Sequence, residues 1–308
     1  MTAPTVSLAA VAKAYGRQRA VSGIDFTMAA GERVALVGHN GAGKSTLMKL
    51  ILGLIRPTEG RIELLGIDPA GRSSGAARRA VGFLPENVAF SPSITGAELL
   101  AFYARLKRQP VAGNAALLER VGIAAAAGRR VGTYSKGMRQ RLGLAQALIG
   151  RPRVLLLDEP TTGLDPALRQ SFYEILDELA ADGASVLLAS HALAELERQV
   201  DRVVVLNHGA KVADGTLATL RRFAPVFARI RLTLKQQEGE APPPAITGNG
   251  LIWTRIEDRV WETRCADADK LALVRRLLDA PLPLADIDVV APSLDEIYAG
   301  FLRHGASP

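Results

Sequence analysis

The chain has 308 residues, 48% of them hydrophobic, which is enough for a sizeable core and excludes wholesale disorder. No run approaches the roughly 20 uninterrupted apolar residues of a membrane-spanning helix, and the amino terminus lacks a basic segment followed by an apolar one, so a cytoplasmic location is expected. A net charge of +7 permits nucleic acid, an anionic membrane surface or phosphate ligands as partners, and the single cysteine, Cys265, excludes an internal disulfide.

Short β-rich runs at 6–11, 24–28, 34–37 and 61–65 alternate with turns, and apolar periodicity predicts a helix over 44–52 that Gly53 and Pro57 close. From 81 to 142 the character is mainly helical, with amphipathic stretches at 95–107 and 115–121. The stretch YSKGMRQR at 134–141 reads as a helix start. Ser135 can cap, Gly137 lets backbone approach closely, and an apolar-periodic run continues through Leu142, Ala145 and Leu148. Five basic residues and no acid stand between Arg129 and Arg141, so this helix start is an anion site by electrostatics. Apolar runs at 154–157 and 185–189, separated by a helix over 167–181, have the pattern of buried parallel strands in a doubly wound sheet, and the class is α/β. Composition shifts near Ala224. The polar, proline-rich QQEGEAPPP at 236–244 is a loop, surrounded by strands at 226–234, 251–256, 260–265 and 285–290 and helices at 267–279 and 293–304. The expected division is a domain over 1–222 and a small α+β accessory domain over 223–308, in which Cys265 is a packing residue.

The stretch GHNGAGKS at 38–45 fits G-x-x-x-x-G-K-[ST], with an apolar strand before it and a helix after it, as phosphate binding demands. Glycines allow backbone amides to wrap the β-phosphate, Lys44 neutralises β/γ oxygens, and the Ser45 hydroxyl can ligate magnesium. The run VLLLDE at 154–159 ends in acids at the carboxyl edge of a strand, where ligands of α/β sheets collect. Asp158 would hold the magnesium through water. Glu159 could orient or deprotonate an attacking water, which makes the site hydrolytic. His191, after the apolar strand LLAS, could hydrogen-bond a γ-phosphate, against the blander reading of a half-buried histidine satisfied by backbone.

In this order, the motifs over about 6–220 resemble those of the ATP-binding subunits of ABC transporters. The resemblance implies a P-loop NTPase with a RecA-like core, an antiparallel β subdomain and a helical subdomain over about 83–150. It makes Gly38, His39, Asn40, Gly41, Ala42, Gly43, Lys44, Ser45 and Thr46 the Walker A loop, residues 154–159 Walker B with its catalytic glutamate, and His191 the switch histidine. It puts Asp165 in the D-loop that communicates between subunits and Tyr15 where an aromatic residue stacks on adenine. Ser135, Lys136, Gly137 and Met138 resemble the signature motif, usually Ser-Gly-Gly-Gln, with Lys136 and Met138 as departures. In that family two copies pack head to tail, so the signature helix of one faces the γ-phosphate held by the other. Glu86 stands where many relatives have a magnesium-touching glutamine, and a glutamate could still ligate a hard cation.

Glu86, a signature of the SKGM kind and PSLDEIY at 292–298 together resemble the subclass serving ABC-2-type permeases, mostly exporters. More narrowly, GHNGAGKST, LPENV and YSKGMRQRLGLAQAL are similar to ATPases of the transporters implicated in building the copper sites of nitrous oxide reductase, which implies a periplasmic maturation protein as a further partner. The expected partners are therefore a second copy and a membrane permease, with docking over about 83–107, the chain peripheral on the inner face of the cell membrane, and ATP and Mg2+ as cofactors. The rival is a soluble ABC-type ATPase acting on nucleic acid or ribosomes; the chain lacks heptad arms and a second Walker A, so nucleic acid is not expected. A regulator without turnover is disfavoured by the presence of both Glu159 and His191.

Overall fold

The computed structural model describes residues 3–224, 226–235 and 251–304. The chain separates into two compact units, Met1–Asp214 and Gly215–Pro308.

The first unit contains two sheets. Strands β1 (Val6–Tyr15), β2 (Gln18–Met28) and β4 (Glu59–Leu64) form an antiparallel sheet in the order β2-β1-β4. The other sheet has six strands in the order β5-β6-β7-β3-β8-β9: β3 (Arg33–Val37), β5 (Val81–Leu84), β6 (Val154–Asp158), β7 (Ser185–Ala189), β8 (Arg202–Asn207) and β9 (Ala210–Gly215). Pairings among β5, β6, β7, β3 and β8 are parallel. Strands β6 and β7 are buried along their whole length, which is why each reads as a continuous apolar run. The pairing register puts Leu36 opposite Ala189 and Ala189 opposite Asp158. Strands β3, β6 and β7 therefore end on one edge, and the residues that follow each of them are delivered to the same place.

Helix α1 (Lys44–Ile51) follows β3 and buries Leu47, Met48, Leu50 and Ile51 in a core shared with Val34, Leu36, Leu156, Leu187 and Val204. After the short α2 (Gly75–Arg79) and β5 comes a helical segment: α3 (Gly96–Leu106), α4 (Asn114–Arg120) and α5 (Lys136–Leu148). Thr95 begins α3 with a capping box, its hydroxyl accepting from Glu98 N at 3.2 Å while the Glu98 carboxylate accepts from Thr95 N at 2.8 Å. Asp165 caps α6 (Pro166–Ala181), with Pro166 at its first position. The short α7 (Leu193–Leu196) follows β7.

Strands β5, β8 and β9 are not among the sequence-predicted elements. Strands β8 and β9 form a hairpin through His208 (φ 46°) and Gly209 (φ 81°), the two positive φ values of a type I′ turn.

The second unit opens with α8 (Leu217–Phe223). It continues into β10 (Phe227–Leu234), β11 (Trp253–Glu257), β12 (Val260–Ala266) and β13 (Leu284–Val290), an antiparallel sheet in the order β11-β12-β10-β13. Alternate residues Ala228, Ile230, Leu232 and Leu234 face a core with Trp253, Trp261 and Cys265, which α9 (Lys270–Asp279) covers through Leu273 and Leu277. Cys265 is buried and burial pushes its thiol up, as suits a packing residue. Helix α10 (Leu294–His304) completes the α+β unit. The proline-rich loop expected at 236–244 lies outside the described residues.

Candidate active site

The edge where β3, β6 and β7 end opens into a cleft of about 860 Å³. Its floor is the 38–45 loop. Gly43 is the residue before α1, with φ 106°; a Cβ there would lie 2.7 Å from Ala20 O, so both the turn and the packing demand glycine. No side chain caps α1 and its first turn holds no acid, so the amides at its amino end are available to an anion. Lys44 is 8% exposed, its ammonium donating to the carbonyls of Gly38 and His39. Burial lowers its pKa, opposed by the charges of Glu159, Asp158 and Glu86. The buried ammonium supplies positive charge to a phosphate, and the carboxylates beside it favour a cation that would accompany a polyphosphate.

Ser45 Oγ donates to Asp158 Oδ2 at 2.9 Å, bringing the loop hydroxyl and the acid of β6 together. Burial raises the Asp158 pKa, with the Ser45 hydrogen bond acting against it. Glu86, after β5, also lines the cleft. Hydroxyl and carboxylate oxygens suit a hard divalent cation. Ser45, Asp158 and Glu86 offer the oxygen donors that magnesium takes alongside phosphate and water.

Glu159 is almost fully buried and sits in the left-handed region at φ 50°, unusual for a residue with a long side chain. Its backbone N–H donates to Ala189 O at 2.8 Å, and its Oε2 accepts from Ser190 Oγ at 3.3 Å and pairs with His191 Nδ1 at 2.7 Å. The imidazole itself is mostly exposed, and its Nδ1 partner is the Glu159 carboxylate. A carboxylate and an imidazole thus face the cleft as one pair, a geometry suited to accepting a proton from water.

Tyr15, at the end of β1, lines the cleft half-exposed with Lys13 Nζ 5.2 Å from its ring centroid. Of the loop residues expected to bind nucleotide, Gly38, His39, Asn40, Gly41, Gly43, Lys44, Ser45 and Thr46 line the cleft. Ala42 does not: it is fully buried, its amide donates to His39 O, and its carbonyl accepts from Gly209 N. Ser135, Lys136, Gly137, Met138 and Asp165 also lie outside it. Ser135 caps α5, its hydroxyl accepting from Met138 N at 3.2 Å, and is exposed. A Cβ on Gly137 would lie 3.2 Å from Gly163 O, so the start of α5 packs directly on the loop that Asp165 ends. Gln18, Arg19, Ala20 and His208 also line the cleft and are not among the sequence-predicted site residues. The His208 ring lies tilted at 60° with its centroid 4.9 Å from that of His39, whose Nε2 lies 3.2 Å from Asn207 Oδ1. The signal for it was the Asn207-His208-Gly209 turn; for Gln18 and Arg19 no local signal exists.

Residues 21–162 match the family model described as ABC transporter. The Nod factor export ATP-binding protein I of Rhizobium sp. (strain N33) is 40% identical over 220 residues, covering 70% of this chain and 72% of that protein. The daunorubicin resistance ATP-binding protein DrrA3 of Streptomyces coeruleorubidus is 34% identical over 292 residues, 93% of this chain and 92% of its own length. The chain belongs to the ABC transporter ATP-binding proteins. This ABC ATPase also resembles a solved ATP-binding subunit of an ABC transporter, with a TM-score of 0.68, 32% identity, and coverage of 71% of this chain and 92% of that one. A bacterial Atm1-family ABC exporter solved with ATP bound gives a TM-score of 0.65 at 30% identity over 71% of this chain and 40% of that one. The chain is accordingly an ATPase whose hydrolysis of ATP is coupled to transport. Among the described residues no helix is long and apolar enough to cross a membrane.

Proposed function

We propose that this ABC ATPase works as a pair of identical subunits packed head to tail, each cleft completed by the capped start of α5 from the second copy. The observation that carries the reading is the exposure of Ser135 outside the chain's own cleft, at a basic helix start with no acid in its first turn. That anion site needs a phosphate, and a γ-phosphate held by a second copy supplies one. Lys136 and Met138 leave the Ser135 cap and the close approach of Gly137 intact.

In each site the 38–46 loop and Lys44 hold the phosphates, Tyr15 takes the adenine face, and Ser45 and Asp158, with Glu86 nearby, hold Mg2+, which neutralises phosphate charge when bound. Glu159 accepts the proton of the attacking water. His191, paired with that carboxylate, orients toward the γ-phosphate, and Asp165 lies in the loop presented to the second copy.

The pair drives a separate ABC-2-type permease, placing the chain on the inner face of the cell membrane. Phe90, Tyr103 and Phe102 form a chain of edge-on ring contacts, and the exposed Phe102 and Leu106 offer that partner an apolar surface. Export is the direction favoured, since the relatives quoted are named for Nod factor export and daunorubicin resistance. The narrower role, powering copper-site maturation of nitrous oxide reductase with a periplasmic protein, rests on the three motifs named above. The accessory domain, 223–308 by the sequence reading, goes with the full-length likeness to the daunorubicin-resistance protein.

The test is sizing of Glu159→Gln with ATP. It should dimerise, and adding Ser135→Arg should leave a monomer that still binds ATP. A double variant that dimerises as well as the single one would refute the head-to-tail arrangement.

A further inference from the structure

Two segments carry the catalytic pair: the loop at 159–165 after β6, and residues 190–196 after β7. Polar contacts that lie outside the cleft join them. Glu195, on α7, accepts from Thr161 Oγ1 at 3.2 Å with one carboxylate oxygen and from Arg169 Nη1 with the other. Arg169, on α6, also donates from Nε to Leu164 O at 3.0 Å. Thr161 is buried, and Glu195 and Arg169 are half-buried. Tyr173 packs beside them, and burial together with the Glu195 charge pushes its hydroxyl up to about 12, so it stays protonated beside Thr161. One carboxylate thus holds the loop near its beginning through Thr161 and near its end through Arg169, from a helix that starts two residues after His191.

We propose that Arg169 and Glu195 are positioning residues for ATP hydrolysis, fixing the loop after Glu159 against the segment after His191. With both segments tied, the carboxylate and imidazole keep their 2.7 Å pairing, and Gly163 and Asp165 shift only together with that pair. The left-handed backbone of Glu159 supports the need for such a tie, since that conformation persists only where its surroundings over-determine it. Gln140 adds a third restraint from α5, donating to Pro160 O at 3.2 Å. The inference rests on the roles proposed above for Glu159 and His191. Neither Arg169 nor Glu195 would touch nucleotide; they act through what they hold.

The test uses the full chain with Arg169→Met, Glu195→Gln and the double variant. Small misplacements of a reacting group reduce turnover strongly while leaving binding intact, so each single variant should lose roughly 10- to 100-fold in kcat with KM for ATP within about 3-fold of wild type. Because the two act as a unit, the double variant should be no slower than the slower single one. Thermal melting and ATP titration guard against misfolding, and Arg169→Lys, which keeps the charge opposite Glu195 but cannot reproduce the fork to Leu164, should be intermediate. Folded single variants with wild-type kcat, a raised KM at unchanged kcat, or multiplying losses in the double variant would each overturn the proposal. Glu159→Gln assayed alongside separates the two levels: normal turnover there sinks the role of Glu159, whereas a dead Glu159→Gln beside fully active clamp variants sinks only the clamp.

Discussion

Glu159→Gln tests the role proposed for this carboxylate with little structural disturbance. The amide is isosteric, and its oxygen can still accept from Ser190 Oγ and His191 Nδ1, so stability should move by less than about 1 kcal/mol. What disappears is the ability to take a proton from water, a contribution of about 10²- to 10⁴-fold, or about 3–5 kcal/mol in the barrier. Phosphate release under saturating ATP should fall by that factor while ATP affinity, measured by titration, stays within about 3-fold. A variant that keeps more than about a third of wild-type kcat would refute the assignment, because general-base loss cannot be that mild. The backbone supplies an independent arm. A left-handed φ of 50° costs a non-glycine residue about 1 kcal/mol, so Glu159→Gly should be as inactive yet melt about 2–4 °C higher. A lower melting temperature would show that the hydrogen bonds of this side chain outweigh its backbone strain.

Lys107, at the end of α3, donates to Ile149 O at 3.0 Å, and burial lowers its pKa from 10.5 to about 8. Between pH 8 and 10.5 the unfolded chain binds more protons at this site, so stability rises with pH through that window and the burial penalty is fully present below it. Lys107→Met should therefore stabilise the fold at pH 7 by about 1–2 kcal/mol, after allowing for the lost hydrogen bond, and flatten the rise seen by denaturant titration at alkaline pH. Phe102→Glu and Leu106→Glu, at positions 58% and 65% exposed, should change stability by less than about 0.5 kcal/mol and leave basal ATPase intact. In membranes containing the permease they should remove its stimulation of turnover; undiminished stimulation would place docking elsewhere.

The elements of the candidate site were legible in sequence where chemistry is local. The 38–45 loop must follow a strand and precede a helix, and continuous apolar runs marked β7 to the residue and β6 to within one residue of its end. Strand order was not legible. That β3 lies between β7 and β8, bringing Lys44, Asp158 and Glu159 to one edge, depends on pairings between residues some 150 positions apart, which no periodicity records. Strand β5 is four residues long and contains Gly82, too short a run to outweigh the helices around it. Nor does the sequence distinguish a cleft-facing loop residue from a buried one: Ala42 sits among residues that line the site and is turned inward by its bonds to His39 and Gly209. The capped start of α5 was read correctly because a cap depends on neighbours only three residues apart.

The hairpin turn between β8 and β9 bears on how variation in this chain would be judged. Gly209 donates to Ala42 O on the phosphate loop and accepts from Ser22 N in the antiparallel sheet, and a Cβ there would lie 2.7 Å from Ala20 O. A methyl group at this turn, outside the 38–45 loop itself, would push the phosphate loop away from the antiparallel sheet, between which the nucleotide is proposed to lie. A survey that scores only signature residues would pass over such a change, although its consequence would appear first as weaker grip on ATP.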